Sequence, residues 1–143
     1  MKSQPLHLSD IAHGRSGDKG NHANIAVIAY TPQGFAWLES LWATIRDRAD
    51  TRPPGSYTVA LIDGGVDKVG RKVTEEATEV LLAAKNDERA AAAAADRTET
   101  RTLLAGEAGD LVYHSLVLLA ERGLEPRSVI DVLRSRHGGA GTG

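Results

Sequence analysis

Two stretches of this chain carry the same double pattern, an apolar stripe at helical spacing with a pair of acids beside it. Any fold has to accommodate both. In Arg71–Lys85, Val73, Ala77, Val80 and Ala84 recur at i, i+4, i+7 and i+11, one stripe of a 3.6-period helix. Glu76 and Glu79 flank that stripe, with Lys72 one turn before Glu76 and Glu75 just behind it. The second stretch, from about Leu103 to Glu121, has Leu104, Ala108, Leu111, Ser115 and Leu118 as its stripe, flanked by Glu107, Asp110 and His114. Packing the stripes together brings Glu76/Glu79 and Glu107/Asp110 to one place.

Acids at i, i+3 on a solvated helix cost only a few tenths of a kcal/mol, so one such helix alone reads as surface. Two change the sum. Carboxylates converging within about 5 Å repel by several times RT at an effective dielectric near 20, so the cluster persists only if it protonates or holds a cation. Hard oxygens without thiolate or imidazole ligands favour Mg²⁺, which binds through a few carboxylates plus substrate phosphates. Lys72 and His114, on the same flanks, stand to meet phosphate oxygens. A set of this kind suits hydrolysis of a phosphoanhydride. Two blander roles stand beside these: Lys72 as a helical ion pair with Glu76, and His114 as a core histidine bonded to a neighbour. Tyr113 reads as packing, and Arg46, Arg48 and Arg52 as solvated surface.

The chain's 143 residues suit one domain with a real core. Aromatics are only 4%, so Leu, Val, Ile and Ala must build that core. A net charge of −2 without a basic run argues against a nucleic-acid partner. Absence of cysteine excludes disulfides, a thiol nucleophile and thiolate metal sites. No basic-then-apolar signal opens the chain, and no apolar run approaches the roughly 18 residues of a membrane helix, so a cytoplasmic protein without a membrane partner is expected.

In chain order, Leu6–Ala12 alternates like a short strand and Ile25–Tyr30 is a β-branched apolar run. The glycine-rich His13–Asn24 between them reads as a loop, and Pro32-Gln-Gly34 as a turn. Glycine-freed N–H groups near Arg15 and Lys19 suit an anion, but two strands cannot close a sheet alone, and a flexible leader is the simpler reading. His7, His13 and His22 match no zinc spacing. From Trp37 the pattern turns helical, with Leu38, Leu41, Trp42 and Ile45 at helical spacing. Val59–Ile62 follows as a short helical turn with Ser56 as its N-cap. The central helix is expected from Asp67 to about Lys85, with Asn86-Asp87 stopping it. Arg89–Arg101, with alanine at every position from Ala90 to Ala95, reads as a solvent-facing, partly helical insertion. Gly123 fits a helix C′ position and Pro126 the first turn of a last helix to His137, with Val129, Ile130 and Leu133 inward. The glycine-rich end, 139–143, reads as a flexible tail.

Two resemblances rest on these residues. The run His13-Gly-Arg-Ser-Gly-Asp-Lys-Gly-Asn-His-Ala-Asn-Ile-Ala-Val-Ile-Ala29 resembles the opening of the ferredoxin-fold domain of AtuA-like proteins, departing from it at Gly14. The rest of that domain is missing after about Trp37, so residues 1–36 read as a truncated β-type leader. The E-x-x-E and E-x-x-D pairs resemble the all-α MazG-like pyrophosphohydrolases. Pro54-Gly-Ser-Tyr-Thr58, Lys68-Val-Gly-Arg-Lys72, Glu75–Lys85, Glu107–His114, Leu116–Leu119 and Arg134-Ser-Arg-His-Gly138 are similar to phosphoribosyl-ATP pyrophosphohydrolases of histidine biosynthesis, over about residues 38–138. That resemblance implies an all-α helical bundle at residues 37–138 and a homodimer. It implies phosphoribosyl-ATP as substrate and Mg²⁺ held by Glu76, Glu79, Glu107 and Asp110, with Glu75 beside them. It implies catalytic roles for Glu76, Glu79 and Lys72, and substrate contacts from Tyr57, Lys72, Lys85 and His114. The alanine-rich insertion departs from the family and is expected to loop out. The rival readings are a house-cleaning nucleoside triphosphate pyrophosphohydrolase and a non-catalytic helical assembly module.

Overall fold

A computed structural model describes residues 12–18, 23–29 and 32–137. The elements run β1 (Ala12–Asp18), β2 (Ala23–Ala29), α1 (Pro32–Thr51), α2 (Tyr57–Asp63), α3 (Gly65–Ala92), α4 (Thr98–Glu121) and α5 (Pro126–His137). Apart from the hairpin, the architecture is all-α, as expected. The chain divides into two compact units, one of residues 1–43 with 127–143 and the other of residues 44–126.

In the first unit β1 and β2 pair antiparallel, with Arg15 opposite Ala26. The first strand therefore occupies Ala12–Asp18, inside the segment expected to be a loop. The expected strand residues before Ala12, His7, Lys19 and His22 lie outside the described residues, as does the glycine-rich tail. Pro32 opens α1 rather than turning the chain, a place where its fixed φ and missing N–H cost nothing. Along α5, Ile130 and Leu133 are half-buried as expected, but Val129 is exposed.

The second unit holds the acid motifs. Ser56 caps α2 as predicted, its hydroxyl accepting from the Val59 N–H. The unit's fully buried residues include Ile45, Leu61, Val69, Val117 and Thr58. The long α3 has 28 residues, about 42 Å at 1.5 Å per residue. It runs past Lys85 to Ala92, and α4 starts at Thr98, so the alanine-rich segment lengthens a helical hairpin instead of looping out. Asp87 does not stop the helix. It is buried, accepting from the Arg97 guanidinium (Nε at 2.9 Å) and from the Thr100 hydroxyl at 2.8 Å. Those two bonds tie the end of α3 to the start of α4 and hold the Asp87 carboxyl down to about 2. At the other end of α4, Gly123 takes φ +66°. Its N–H reaches the Ala120 carbonyl and that of Leu124 the Leu119 carbonyl, the paired closure that the sequence predicted from a C′ glycine.

Which side of each helix faces inward differs from the expectation. On α3 the buried residues are Val69, Glu76, Ala83 and Asp87, while Ala77 is exposed. On α4 they are His114 and Val117. At 100° per residue the inward lines lie roughly 70° around from the apolar stripes. The same rotation applies to both helices, so it is the acid flanks that face each other. The stripe residues Val73, Val80, Leu104 and Leu111 are left half-buried.

By length and average hydropathy α4 alone among the described helices is long and apolar enough to cross a membrane, contrary to the expectation that no run approaches that limit. Its middle nevertheless carries Glu107, Asp110 and His114.

Candidate active site

Glu76 stands at the centre of the acid cluster. One oxygen each from Glu75, Glu76 and Glu79 lies within 4.8 Å of the others, and so does one each from Glu76, Glu107 and Asp110. All five predicted carboxylates thus converge, with Glu76 common to both groups. Helix geometry explains the α3 set: Glu75 and Glu79 sit about 100° and 60° to one side of Glu76, within one turn. Glu107 and Asp110 reach the same place because α4 presents its acid flank inward.

The cluster carries its own counter-cation. Lys72 Nζ lies 3.0 Å from Glu75 Oε1 and 2.8 Å from Glu76 Oε1. These bonds, to Glu76 first and then Glu75, hold the ammonium above the ordinary lysine value. The same bond from Lys72 pulls the Glu76 carboxyl below its usual range, against the opposing effect of burial. Glu79 moves the other way. Loss of hydration, a hydrogen bond shared with Glu76, and the charges of Glu107, Glu76 and Glu75 raise it. One lysine does not neutralise five carboxylates, and the uncompensated charge falls on Glu79.

His114 lies against this cluster, only 5% exposed. Its Nδ1 is 2.9 Å from the Asp110 carbonyl and 3.5 Å from Glu76 Oε1, and its Nε2 is 3.1 Å from the Tyr57 hydroxyl. A carbonyl only accepts, so Nδ1 bears the hydrogen and the Tyr57 O–H donates to Nε2. Beside this contact the Thr58 and Tyr113 hydroxyls meet at 2.8 Å, Thr58 being fully buried. The Tyr57 and Tyr113 rings stack with centroids 6.4 Å apart, and His114 meets both edge-on. The N-terminus of α2 is thereby fastened to α4 next to the acids. Thr58 and Tyr113 were not legible as site neighbours, since an i, i+1 pair on a short helix carries no periodic signal.

The predicted residues brought together are Glu75, Glu76, Glu79, Glu107, Asp110, Lys72, His114 and Tyr57. Lys85 is not among them. It is exposed and paired with Glu88. Nine residues after Glu76, it points about 180° away and lies roughly 13 Å further along the axis. Arg52 pairs with Asp63, away from the acids.

The donor set fits a hard divalent cation. It offers carboxylate oxygens from two facing helices, with no thiolate among them, and a charge excess that Lys72 only partly offsets.

Comparison with known proteins agrees with this geometry. The family described as phosphoribosyl-ATP pyrophosphohydrolase matches residues 38–137. The chain belongs to the phosphoribosyl-ATP pyrophosphohydrolase family. A phosphoribosyl-ATP pyrophosphatase of Rhodopirellula baltica is 41% identical over 110 residues, which is 77% of this chain and 84% of the relative. One from Streptococcus thermophilus is 45% identical over 101 residues, 71% of this chain and 86% of the relative. The histidine biosynthesis bifunctional protein HisIE of Deinococcus radiodurans is 48% identical over 104 residues, 73% of this chain but only 42% of that longer protein. The AtuA ferredoxin-like domain matches residues 6–50, overlapping the pyrophosphohydrolase match within α1. Membership of the pyrophosphohydrolase family accounts for the MazG-like helical fold and for the paired acid motifs on α3 and α4.

Proposed function

We propose that this chain hydrolyses phosphoribosyl-ATP to phosphoribosyl-AMP and pyrophosphate, a step of histidine biosynthesis, in the cytoplasm. The observation that carries the reading is the convergence of five carboxylates around Glu76 in a chain of this family. Glu75, Glu76, Glu79, Glu107 and Asp110 would hold Mg²⁺, which when bound neutralises polyphosphate charge and polarises the α-phosphorus. The acids of this chain then orient a water molecule for attack on that phosphorus. The Pα–O bond to the β-phosphate breaks, pyrophosphate departs, and the water's protons pass to the surrounding carboxylates. Lys72, a quarter exposed between Glu75 and Glu76, and the half-exposed Tyr57 are the substrate contacts beside the acids. Lys85 on the far face would serve only a remote part of the substrate.

Residues 37–138 form the catalytic domain in this reading, 1–36 a fragment of an AtuA-like domain, and 139–143 a tail. The domain works as a homodimer. Supporting this, adjacent Leu81 and Leu82 are 59% and 58% exposed and Leu103 54%, more aliphatic surface than a small bundle keeps in water.

The test is to offer phosphoribosyl-ATP and a panel of nucleoside triphosphates with Mg²⁺ and identify the phosphate released. Pyrophosphate from phosphoribosyl-ATP is expected. Orthophosphate as primary product, or faster turnover of free triphosphates, refutes the assignment.

A further inference from the structure

Several polar groups converge on a single oxygen at the centre of the acid cluster. Glu76 Oε1 receives Lys72 Nζ at 2.8 Å and faces His114 Nδ1 at 3.5 Å. Both Glu76 and His114 are at least 95% buried, so neither has water in place of these partners. His114 Nδ1 also bonds the backbone carbonyl of Asp110, the last acid of the α4 motif. Its ring therefore touches the acid motifs of both helices through one N–H. The other ring nitrogen is capped by Tyr57, whose backbone neighbour Thr58 is locked to Tyr113. The ring is thus fixed at both nitrogens.

We propose that His114 is a positioning residue for Glu76 rather than a substrate contact: with Lys72 it pins Oε1 and commits the other oxygen, Oε2, to a divalent cation. The order of groups runs Tyr57 O–H to His114 Nε2, then His114 Nδ1–H toward Glu76 Oε1. Partners of this kind, one step removed from a ligand, set its orientation, and their loss typically lowers metal affinity 10–100-fold. The inference deepens the metal-site reading and rests on it. It gives Nδ1 and Nε2 separate duties, which conservative variants can separate. An asparagine amide nitrogen falls near the position of Nδ1. A glutamine amide reaches toward that of Nε2.

The probe is Mg²⁺ alone, titrated against the thermal midpoint of the full chain, with kcat and KM for phosphoribosyl-ATP measured alongside. His114→Asn is expected to keep the wild-type Mg²⁺ affinity within about threefold, while His114→Gln weakens it about tenfold or more. Equal Mg²⁺ affinities for wild type, His114→Asn and His114→Gln, with KM alone raised in both variants, would overturn the proposal and return His114 to the substrate. A wild-type midpoint indifferent to Mg²⁺ takes down the metal site and this inference together, so the two failures are distinct. Should the buried substitutions prevent folding, long-range ¹⁵N–¹H NMR of the wild-type ring decides. Hydrogen on Nδ1, before and after Mg²⁺ is added, is expected, and hydrogen on Nε2 refutes the arrangement.

Discussion

Glu76 and Glu79 are one turn apart in the same acid motif, yet replacing each by glutamine should move stability in opposite directions without metal. Glu76 gains from its surroundings. It accepts from Lys72 at 2.8 Å, and its carboxyl is held low by that bond. A hydrogen bond to a charged group contributes about 1.5–3 kcal/mol, and Lys72 is a quarter exposed, so the discounted loss in Glu76→Gln is about 1 kcal/mol. For a unit of this size that is a fall of roughly 4–8 °C in the melting temperature. Glu79 suffers from its surroundings, its carboxyl being raised by lost hydration and by Glu76, Glu107 and Glu75. Glu79→Gln should therefore melt at or above the wild type at neutral pH.

The pH dependence follows with opposite signs. The Glu76 contribution is present above the unfolded glutamate value of about 4.3 and is lost as pH falls through its lowered folded value. The Glu79 penalty is absent in acid, sets in as pH rises from about 4.3 through its raised value, and persists at neutrality. Both differences from wild type should thus vanish in acid. Adding Mg²⁺ at a hundred times its dissociation constant should stabilise the wild type by about 2.7 kcal/mol and both variants far less. Differential scanning calorimetry from pH 3 to 8, with and without Mg²⁺, reads all of this. A Glu79→Gln protein that loses as much apo stability as Glu76→Gln refutes the account of the cluster. Equal Mg²⁺ shifts in all three proteins refute the metal site.

Asp87→Asn should lower the melting temperature at neutral pH by breaking the tie to Arg97 and Thr100, while leaving the Mg²⁺ shift unchanged. Because the Asp87 carboxyl is held down to about 2, its contribution exists above about pH 4 and fades as pH falls toward 2, so the gap between variant and wild type should close there. The paired change of Leu81→Glu and Leu82→Glu should convert a dimer to monomer in sedimentation. A wild type whose sedimentation coefficient is already monomeric and independent of concentration refutes the dimer. Removing residues 1–31, up to the start of α1, should leave helicity by circular dichroism and pyrophosphate release nearly intact. Loss of most activity with the helices preserved would assign the hairpin to the site.

What the sequence determined by itself was the chemistry and the partners of each acid. Spacing within one helix is a covalent fact, so Glu75, Glu76, Glu79 and Lys72 had to share a flank of α3, and Glu107, Asp110 and His114 a flank of α4. The serine cap at Ser56 and the glycine closure at Gly123 were legible for the same local reason. Lys85 was misplaced against that logic, since nine residues from Glu76 is half a revolution away. Only the tertiary structure decided which way the two helices are turned. Apolar periodicity predicts that stripes pack together, but here buried Glu76 is satisfied by Lys72 and lies against His114, so the acid flanks face inward and the stripes rotate toward the outside. Nor does periodicity register contacts between distant residues. The Asp87–Arg97–Thr100 tie that carries the alanine-rich segment as helix spans the α3–α4 turn. The Tyr57–His114 and Thr58–Tyr113 bonds join residues 57 and 55 positions apart. Such pairs exist only once the chain has folded, because nothing in the spacing of either partner selects the other.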